Sequence, residues 1–201
     1  MASFQTIASC NTFMIENCSS YEEFISAVLK KIREEDDGLL AFEYVAETEA
    51  LSAARELDAM RATHGTRAGE PIAGLPLVGI PVAIKDIIDV AGMPTTFGCE
   101  KAPIGYPRLV ERARFTGTGI SNTLVSDKPI NFATQDAAVV RLLKAKGAII
   151  IGKAVTTELA GLRPSRTLNP RDRNRTPGGS SSGSAASVGA GLVPLSVGTQ
   201  T

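Results

Sequence analysis

The feature that most constrains this chain is a run of small residues, TPGGSSSGSAASVGAGLVPLSVGTQT, at positions 176–201. Glycine, serine and alanine carry too little apolar surface to build a hydrophobic core. Such a run is therefore either a flexible linker or a segment in which the backbone must approach another part of the protein closely. The rest of the sequence has to decide between these two interpretations.

The composition is that of an ordinary globular chain. Of the 201 residues, 43% are hydrophobic and 21% are charged, which is enough for one sizeable core. The formal net charge of +0 gives no electrostatic reason to expect nucleic acid or an anionic membrane as a partner. Three cysteines without metal-ligand spacing, and an N-terminus with neither a basic start nor a long apolar run, favour a cytoplasmic protein without signal peptide or membrane anchor.

Two helices are predicted within residues 19–65. The first begins at Ser20, because a serine followed three residues later by Glu23 is the pattern of a capping box. Its apolar residues recur at helical spacing, namely Phe24, Ile25, Val28, Leu29 and Ile32. The second helix is predicted over residues 41–65, which are rich in Ala, Glu and Arg and end at Gly65, a favourable C-terminal cap.

The following segments predict an α/β fold. Residues 74–98, GLPLVGIPVAIKDIIDVAGMPTTFG, place β-branched residues between glycines and prolines, which is typical of strands and turns. Because side chains alternate along a strand, Lys85 is expected to point away from Asp86. Residues 135–152 predict a helix, a stop at Gly147 and a short buried strand. A helix followed by a strand, after an earlier strand, indicates α/β architecture.

Two patterns of familiar sites are rejected. The segment GAIIIGK, residues 147–153, satisfies part of a phosphate-binding loop, but three consecutive isoleucines favour a buried strand over a loop that wraps phosphate. His64 is the only histidine, and it lies at the predicted end of a helix, where a cation stabilises the terminal carbonyls. A hydroxyl nucleophile in this protein therefore needs a base other than histidine.

Lysine is the remaining candidate base. An amine in water is protonated at neutral pH, but burial among apolar groups disfavours the charge and lowers the pKa. Lys85 lies in GIPVAIKDIIDV, the most apolar surroundings of any lysine in the chain. A lysine at a strand end usually reaches into solvent, so this position alone does not establish the role.

Three segments taken in order resemble the amidase signature family of serine hydrolases, which use a Ser-Ser-Lys triad on amide bonds. They are GIPVAIKDIIDVAGMPTTFG at 79–98, DAAVVRLLKAKGAIIIGKAVTTELA at 136–160, and NPRDRNRTPGGSSSGSAASVGAGLVPLSVGTQT at 169–201. The resemblance implies the N-terminal part of the amidase signature fold, a mixed β-sheet covered by α-helices. It also implies that 176–201 is not a linker, with GSAASVGAG forming a closely packed helix and LVPLSVG a strand.

The resemblance assigns roles to individual residues. Lys85 matches the general base, and Ser180 matches the bridging serine, which follows a cis peptide bond and relays a proton between the lysine and the nucleophile. Ser181 and Ser182 are expected either to make local hydrogen bonds or to be ordinary loop serines without a special role. The nucleophile itself is a third serine, which the family places beyond Thr201, in the turn whose backbone N–H groups form the oxyanion hole. Thr201 would supply one of those donors.

The expected function is hydrolysis of carbon–nitrogen bonds in a small-molecule carboxamide, without cofactor or metal. Because the third serine is absent, the 201 residues are expected to be the N-terminal portion of a single amidase domain and inactive alone. A non-catalytic product is the alternative. The motifs GTQT and AVTTELA slightly favour a stand-alone amidase over the transfer RNA amidotransferase component of the same family.

One segment does not match. Residues 106–134 have no clear periodicity, and a long structureless connection is unusual inside a compact domain. We predict an atypical insertion at approximately 108–132, between two segments that resemble the family well.

Overall fold

The computed structural model describes residues 4–99, 132–161 and 163–200. Within these residues five helices, two short 3-10 turns and four strands are formed. The helices are α1 (Ile7–Asn17), α2 (Tyr21–Glu35), α3 (Glu47–His64), α4 (Ala138–Ala145) and α5 (Ser182–Gly189), and the turns are Asp36–Gly38 and Glu158–Ala160. The strands are β1 (Phe42–Val45), β2 (Pro81–Lys85), β3 (Ile149–Ala154) and β4 (Leu195–Val197).

The four strands form one mixed sheet in the order β1-β3-β2-β4. β2 runs parallel to both β3 and β4, whereas β1 pairs antiparallel with β3. Every residue of β2 and β3 is buried, as expected for strands in the interior of a sheet that is covered on both faces. The predicted mixed α/β fold is therefore confirmed, and the isoleucines of GAIIIGK lie in a buried strand rather than a phosphate loop.

The predicted helix at Ser20 is α2. The Ser20 hydroxyl accepts a hydrogen bond from the Glu23 N–H at 3.0 Å, while the Glu23 carboxylate accepts one from the Ser19 N–H at 2.7 Å. Both bonds satisfy N–H groups that would otherwise be unpaired at the start of the helix. The five apolar residues predicted to face the core are all buried, and they pack α2 into the main hydrophobic cluster.

The predicted second helix begins later than expected. Residues 42–45 are strand β1, and only after Ala46 does α3 start. Aromatic and β-branched residues at 42, 44 and 45 favour a strand, and pairing with β3 decides the conformation. This pairing is close at Gly152, where an added Cβ would lie only 2.1 Å from the Tyr44 carbonyl oxygen. The C-terminal end is as predicted, with His64 last and Gly65 in the left-handed region at φ 66°.

Other predictions have mixed outcomes. The N-terminal helix α1, capped by Thr6 and Ser9, was not predicted. The helix, glycine stop and strand of residues 135–152 are confirmed as α4, Gly147 at φ 87° and β3. In the segment 74–98 only β2 is a strand and the remainder is turns. The insertion predicted at 108–132 lies outside the described residues except for Phe132, and it stays a prediction.

Candidate active site

The small-residue segment is a closely packed turn and helix. Gly178 has φ 91°, and the peptide bond between Gly179 and Ser180 is cis, as the resemblance implies. An added Cβ at Gly179 would lie 2.8 Å from the Thr157 methyl carbon. At Gly183 it would lie 2.2 Å from the carbonyl oxygen of Ala41. Glycine is therefore required here by close approach of the backbone to its neighbours, which excludes the linker interpretation.

The site lies at the carboxyl ends of two parallel strands. Lys85 is the last residue of β2, and Thr199 follows β4 by two residues. Ser180 comes from the turn that leads into α5. Parallel neighbouring strands end at the same edge of a sheet, so residues that are distant in sequence meet there. The described chain thus places a lysine and two hydroxyl groups at one sheet edge.

Lys85 makes the central contacts of this site. It is fully buried. Its Nζ donates hydrogen bonds to Ser180 Oγ at 2.7 Å and to Thr199 Oγ1 at 2.6 Å. Burial lowers the pKa of Lys85, because the charged ammonium loses hydration. A lysine with a lowered pKa has a larger neutral fraction, and the neutral amine can take a proton from a neighbouring hydroxyl.

The carbonyl group of Ser180 is held by the residues that follow β3. The N–H of Thr157 donates to the Ser180 carbonyl oxygen at 2.9 Å, and the Thr156 hydroxyl donates to the same oxygen at 3.1 Å. Both threonines are buried. Two donors on one carbonyl fix the orientation of the Ser180 backbone, and they leave its hydroxyl directed at Lys85.

Thr199 is a site residue that the sequence did not reveal. It lies in the motif GTQT, for which the resemblance predicts only a part in the oxyanion hole. Ser181 fixes its backbone, because the Ser181 hydroxyl accepts from the Thr199 N–H at 3.2 Å and donates to the Thr199 carbonyl at 3.2 Å. Thr199 could have been predicted from its position two residues after a strand that pairs with β2. The order of the strands in the sheet, however, cannot be read from the sequence.

His64 lies at the end of a helix, as predicted, whereas Ser182 is the first residue of α5 and its hydroxyl bonds to residues distant in the sequence, so Ser182 is not an ordinary loop serine. Ser182 is buried, with its hydroxyl accepting from Ser165 Oγ at 2.7 Å and donating to the carbonyl of Val155 at 3.4 Å. His64 is exposed at the end of α3, with Nδ1 at 3.0 Å from the Met60 carbonyl oxygen. Neither side chain belongs to the Lys85 site. Thr201, the predicted oxyanion donor, lies outside the described residues.

Two negative findings apply to residues 4–99, 132–161 and 163–200. No three or more His, Cys, Asp or Glu side chains gather there in a way that could hold a metal ion. Across the same residues, the helices are too short or too polar to cross a bilayer.

The chain belongs to the amidase family, because the family model described as Amidase matches residues 23–107 and 118–201. It is 39% identical over 184 residues to the putative amidase AmiA2 of Mycobacterium tuberculosis, covering 89% of this chain and 31% of the relative. It is 37% identical over 191 residues to a glutamyl-tRNA(Gln) amidotransferase component of Salinispora arenicola, covering 91% and 32%. The chain therefore spans about a third of the length of the curated relatives it matches.

Solved structures agree with this assignment. An amidase family protein from Bacillus anthracis superposes with a TM-score of 0.70 at 30% identity, over 98% of this chain and 35% of that one. A peptide amidase in complex with the competitive inhibitor chymostatin superposes with a TM-score of 0.72 at 26% identity, over 97% and 36%. The fold described above is thus the fold of one part of these amidases.

Proposed function

We propose that the protein is an amidase that hydrolyses the carbon–nitrogen bond of a small-molecule carboxamide, with Lys85 as general base and Ser180 as proton relay. The observation that carries this proposal is the 2.7 Å hydrogen bond between a fully buried lysine and the Ser180 hydroxyl. Membership of the amidase family supports the same reaction class. The proposal includes no cofactor, a cytoplasmic location, and no nucleic acid or membrane partner.

The proton transfers follow from the positions of the two side chains. Neutral Lys85 takes the proton of the Ser180 hydroxyl, while the Ser180 oxygen takes the proton of the nucleophilic serine that the resemblance places beyond Thr201. The nucleophile forms a bond to the carboxamide carbon, and the proton returns by the same route to the leaving nitrogen as the carbon–nitrogen bond breaks. Water then hydrolyses the acyl-enzyme with the same two groups. In this scheme Thr201 contributes a backbone N–H to the oxyanion hole.

Thr199 has a supporting role in the proposal. Its hydroxyl accepts a second hydrogen bond from Lys85 Nζ, which restricts the amine to a position next to Ser180. Because Thr199 Oγ1 accepts a hydrogen bond from the amine, it also favours the charged Lys85 that has taken the Ser180 proton and later gives it back for the leaving group. Thr199 is a positioning residue in this scheme, since it acts through Lys85.

A chimera tests the proposal directly. In it, this chain replaces the aligned third of an active amidase relative, and hydrolysis of a simple amide is measured. We expect Ser180→Ala to lower kcat by at least about a hundredfold, in line with loss of positioned proton transfer. Ser187→Ala is the matched control, because Ser187 lies in the same small-residue segment but its hydroxyl donates to the Ser184 carbonyl within α5 rather than contacting Lys85. Equal activity of the two variants would contradict the proposed relay.

We also propose that the 201 residues do not turn over amides by themselves. The chain spans about a third of its relatives, and the resemblance places the nucleophile outside it. The isolated chain should neither hydrolyse simple amides nor react with a serine-directed phosphonate probe. Stoichiometric labelling would overturn this proposal, and single alanine substitutions of Ser180, Ser181 and Ser182 would then locate the substitute nucleophile.

A further inference from the structure

A second fully buried lysine lies on the strand next to Lys85. Lys153 is in β3, and its Cα pairs with that of Ile84 in β2. Paired residues of parallel strands project to the same face, so Lys153 and Lys85 project to opposite faces of the sheet. Lys153 takes no part in the proton transfers proposed above, and its side chain is directed to the turn at residues 94–98.

The contacts of Lys153 hold the start of this turn. Its Nζ donates to the Pro94 carbonyl oxygen at 3.0 Å and to Thr95 Oγ1 at 3.0 Å. Two carboxylates, Asp86 and Asp89, interact electrostatically with the ammonium group and favour its charged form. The Thr95 hydroxyl in turn donates to Asp89 Oδ1 at 3.3 Å. A charged donor with these partners fixes the turn more firmly than a neutral one would.

Asp86 holds the next residue of the same turn. It directly follows Lys85 in the chain and is fully buried. Both of its carboxylate oxygens accept from the Thr96 N–H, each at 3.1 Å. Burial raises the pKa of Asp86, and the nearby Lys153 charge opposes that shift. The Lys153 ammonium and the Asp86 carboxylate therefore hold Pro94, Thr95 and Thr96 at the ends of β2 and β3.

The turn 94–98 contacts the backbone of Thr156 and Thr157, the residues that hold Ser180. Gly98 has φ 67°, and an added Cβ there would lie 2.6 Å from the Thr156 carbonyl oxygen and 2.8 Å from that of Thr157. The Phe97 carbonyl accepts from the Leu159 N–H at 2.8 Å. Thr156 and Thr157 are the two residues that donate to the Ser180 carbonyl. Continuous contacts thus connect Asp86 and Lys153, through the turn 94–98 and the two threonines, to Ser180.

We infer that Asp86 and Lys153 are positioning residues for the Lys85–Ser180 pair. Acting from the opposite face of the sheet, they hold the turn 94–98 against Thr156 and Thr157, and so keep the Ser180 hydroxyl at hydrogen-bond distance from Lys85. The inference rests on the proposed function, since that function makes Lys85 and Ser180 the reacting groups. It adds two residues that act on the pair through the turn 94–98.

Two measurements on the 201-residue chain test this inference without any substrate. Hydrogen exchange at the Thr157 N–H reports the bond to Ser180, and a 13C-lysine NMR titration reports the pKa of Lys85. We expect Lys153→Met to accelerate Thr157 exchange at least about tenfold and to move the Lys85 pKa up toward its ordinary value as water enters. Lys144→Met is the control, because Lys144 is a more exposed lysine of α4 that pairs with Asp136 just before the helix. This substitution should change neither measurement.

A matched pair of variants separates the hydrogen bond from the charge. Asp86→Asn and Asp86→Ala remove the same charge, but only Asn retains an acceptor for the Thr96 N–H. We expect Thr157 exchange to be at least about tenfold faster in the Ala variant than in the Asn variant. Equal exchange in the two would overturn the inference, as would a folded Lys153→Met chain with unchanged Thr157 exchange and unchanged Lys85 pKa. If Lys153→Met does not fold, the Asp86 pair decides. An inactive chimera would instead count against the proposed function alone.

Discussion

Lys85 and Lys153 are equally buried, lie on adjacent strands, and differ in what their amines contact. Lys85 donates to two hydroxyls, which can themselves release a proton. Lys153 donates to a backbone carbonyl and one hydroxyl and is close to two carboxylates, which stabilise its charge. Burial lowers the pKa of both, that of Lys153 to about 8. A lowered pKa therefore does not identify the base by itself, and the chemistry of the contacting groups does.

The largest expected difference between the two lysines is in stability. We expect Lys153→Met to lower the free energy of unfolding by about 3–5 kcal/mol, because it leaves the buried Asp86 charge without its counter-charge. Lys85→Met should cost less than about 1 kcal/mol, because Ser180 is only half-buried and Thr199 is exposed, so water can replace the amine. Urea unfolding of both variants measures this contrast. A larger loss of unfolding free energy for Lys85→Met than for Lys153→Met would contradict the proposal that Lys153 has the structural role and Lys85 the catalytic one.

The pH dependence of stability should show the burial of Lys153. Its pKa falls from 10.5 to about 8 on folding, so the unfolded chain binds more protons between these two values. Stability relative to Lys153→Met should therefore rise from pH 8 to pH 10.5, by on the order of 3 kcal/mol. Comparing the two proteins cancels the contributions of buried cysteines and tyrosines, whose raised pKa values act in the opposite direction. A difference that falls with pH would show that Lys153 is stabilised as a cation.

The smallest expected effects come from the threonines beside the two amines. Thr199→Val removes one acceptor from Lys85, and Thr95→Val removes one from Lys153. We expect each to lower the pKa of its lysine further, since the lost hydrogen bond favoured the charged form. Thr95→Val should also cost about 1 kcal/mol in stability, whereas the exposed Thr199 should cost less. NMR titration of the lysines and urea unfolding provide the two measurements, and a pKa that rises in either variant would contradict the assigned contacts.

The sequence predicted those parts of the fold that local pattern determines. Helix α2, the end of α3 at Gly65 and the succession of α4, Gly147 and β3 all follow from capping residues and apolar spacing. Strand β1 could not be predicted in this way, because its residues lie next to a strongly helical segment and become a strand only by pairing with β3. The aromatic and β-branched residues at 42, 44 and 45 favour a strand locally, but the pairing with β3 that decides the conformation is long-range.

The candidate site was predictable only in part. The resemblance to a family indicated Lys85 and Ser180, and the structure places their side chains in contact. Thr199 was not found, because its contact with Lys85 depends on β4 lying beside β2. Lys153 stands out in the sequence only as the last residue of a rejected phosphate loop. Its position on the opposite face of the sheet from Lys85 follows from the register between β2 and β3, which the sequence does not contain.

The central claim is that the fold prepares Lys85 to act as a base toward Ser180. The most direct measurement is the NMR titration of the 13C-labelled Lys85 side chain in the folded chain, with its signal assigned by its absence from Lys85→Arg. The account predicts a Lys85 pKa clearly below the ordinary lysine value of 10.5, because burial disfavours the charge. A Lys85 pKa at or above 10.5 would contradict it.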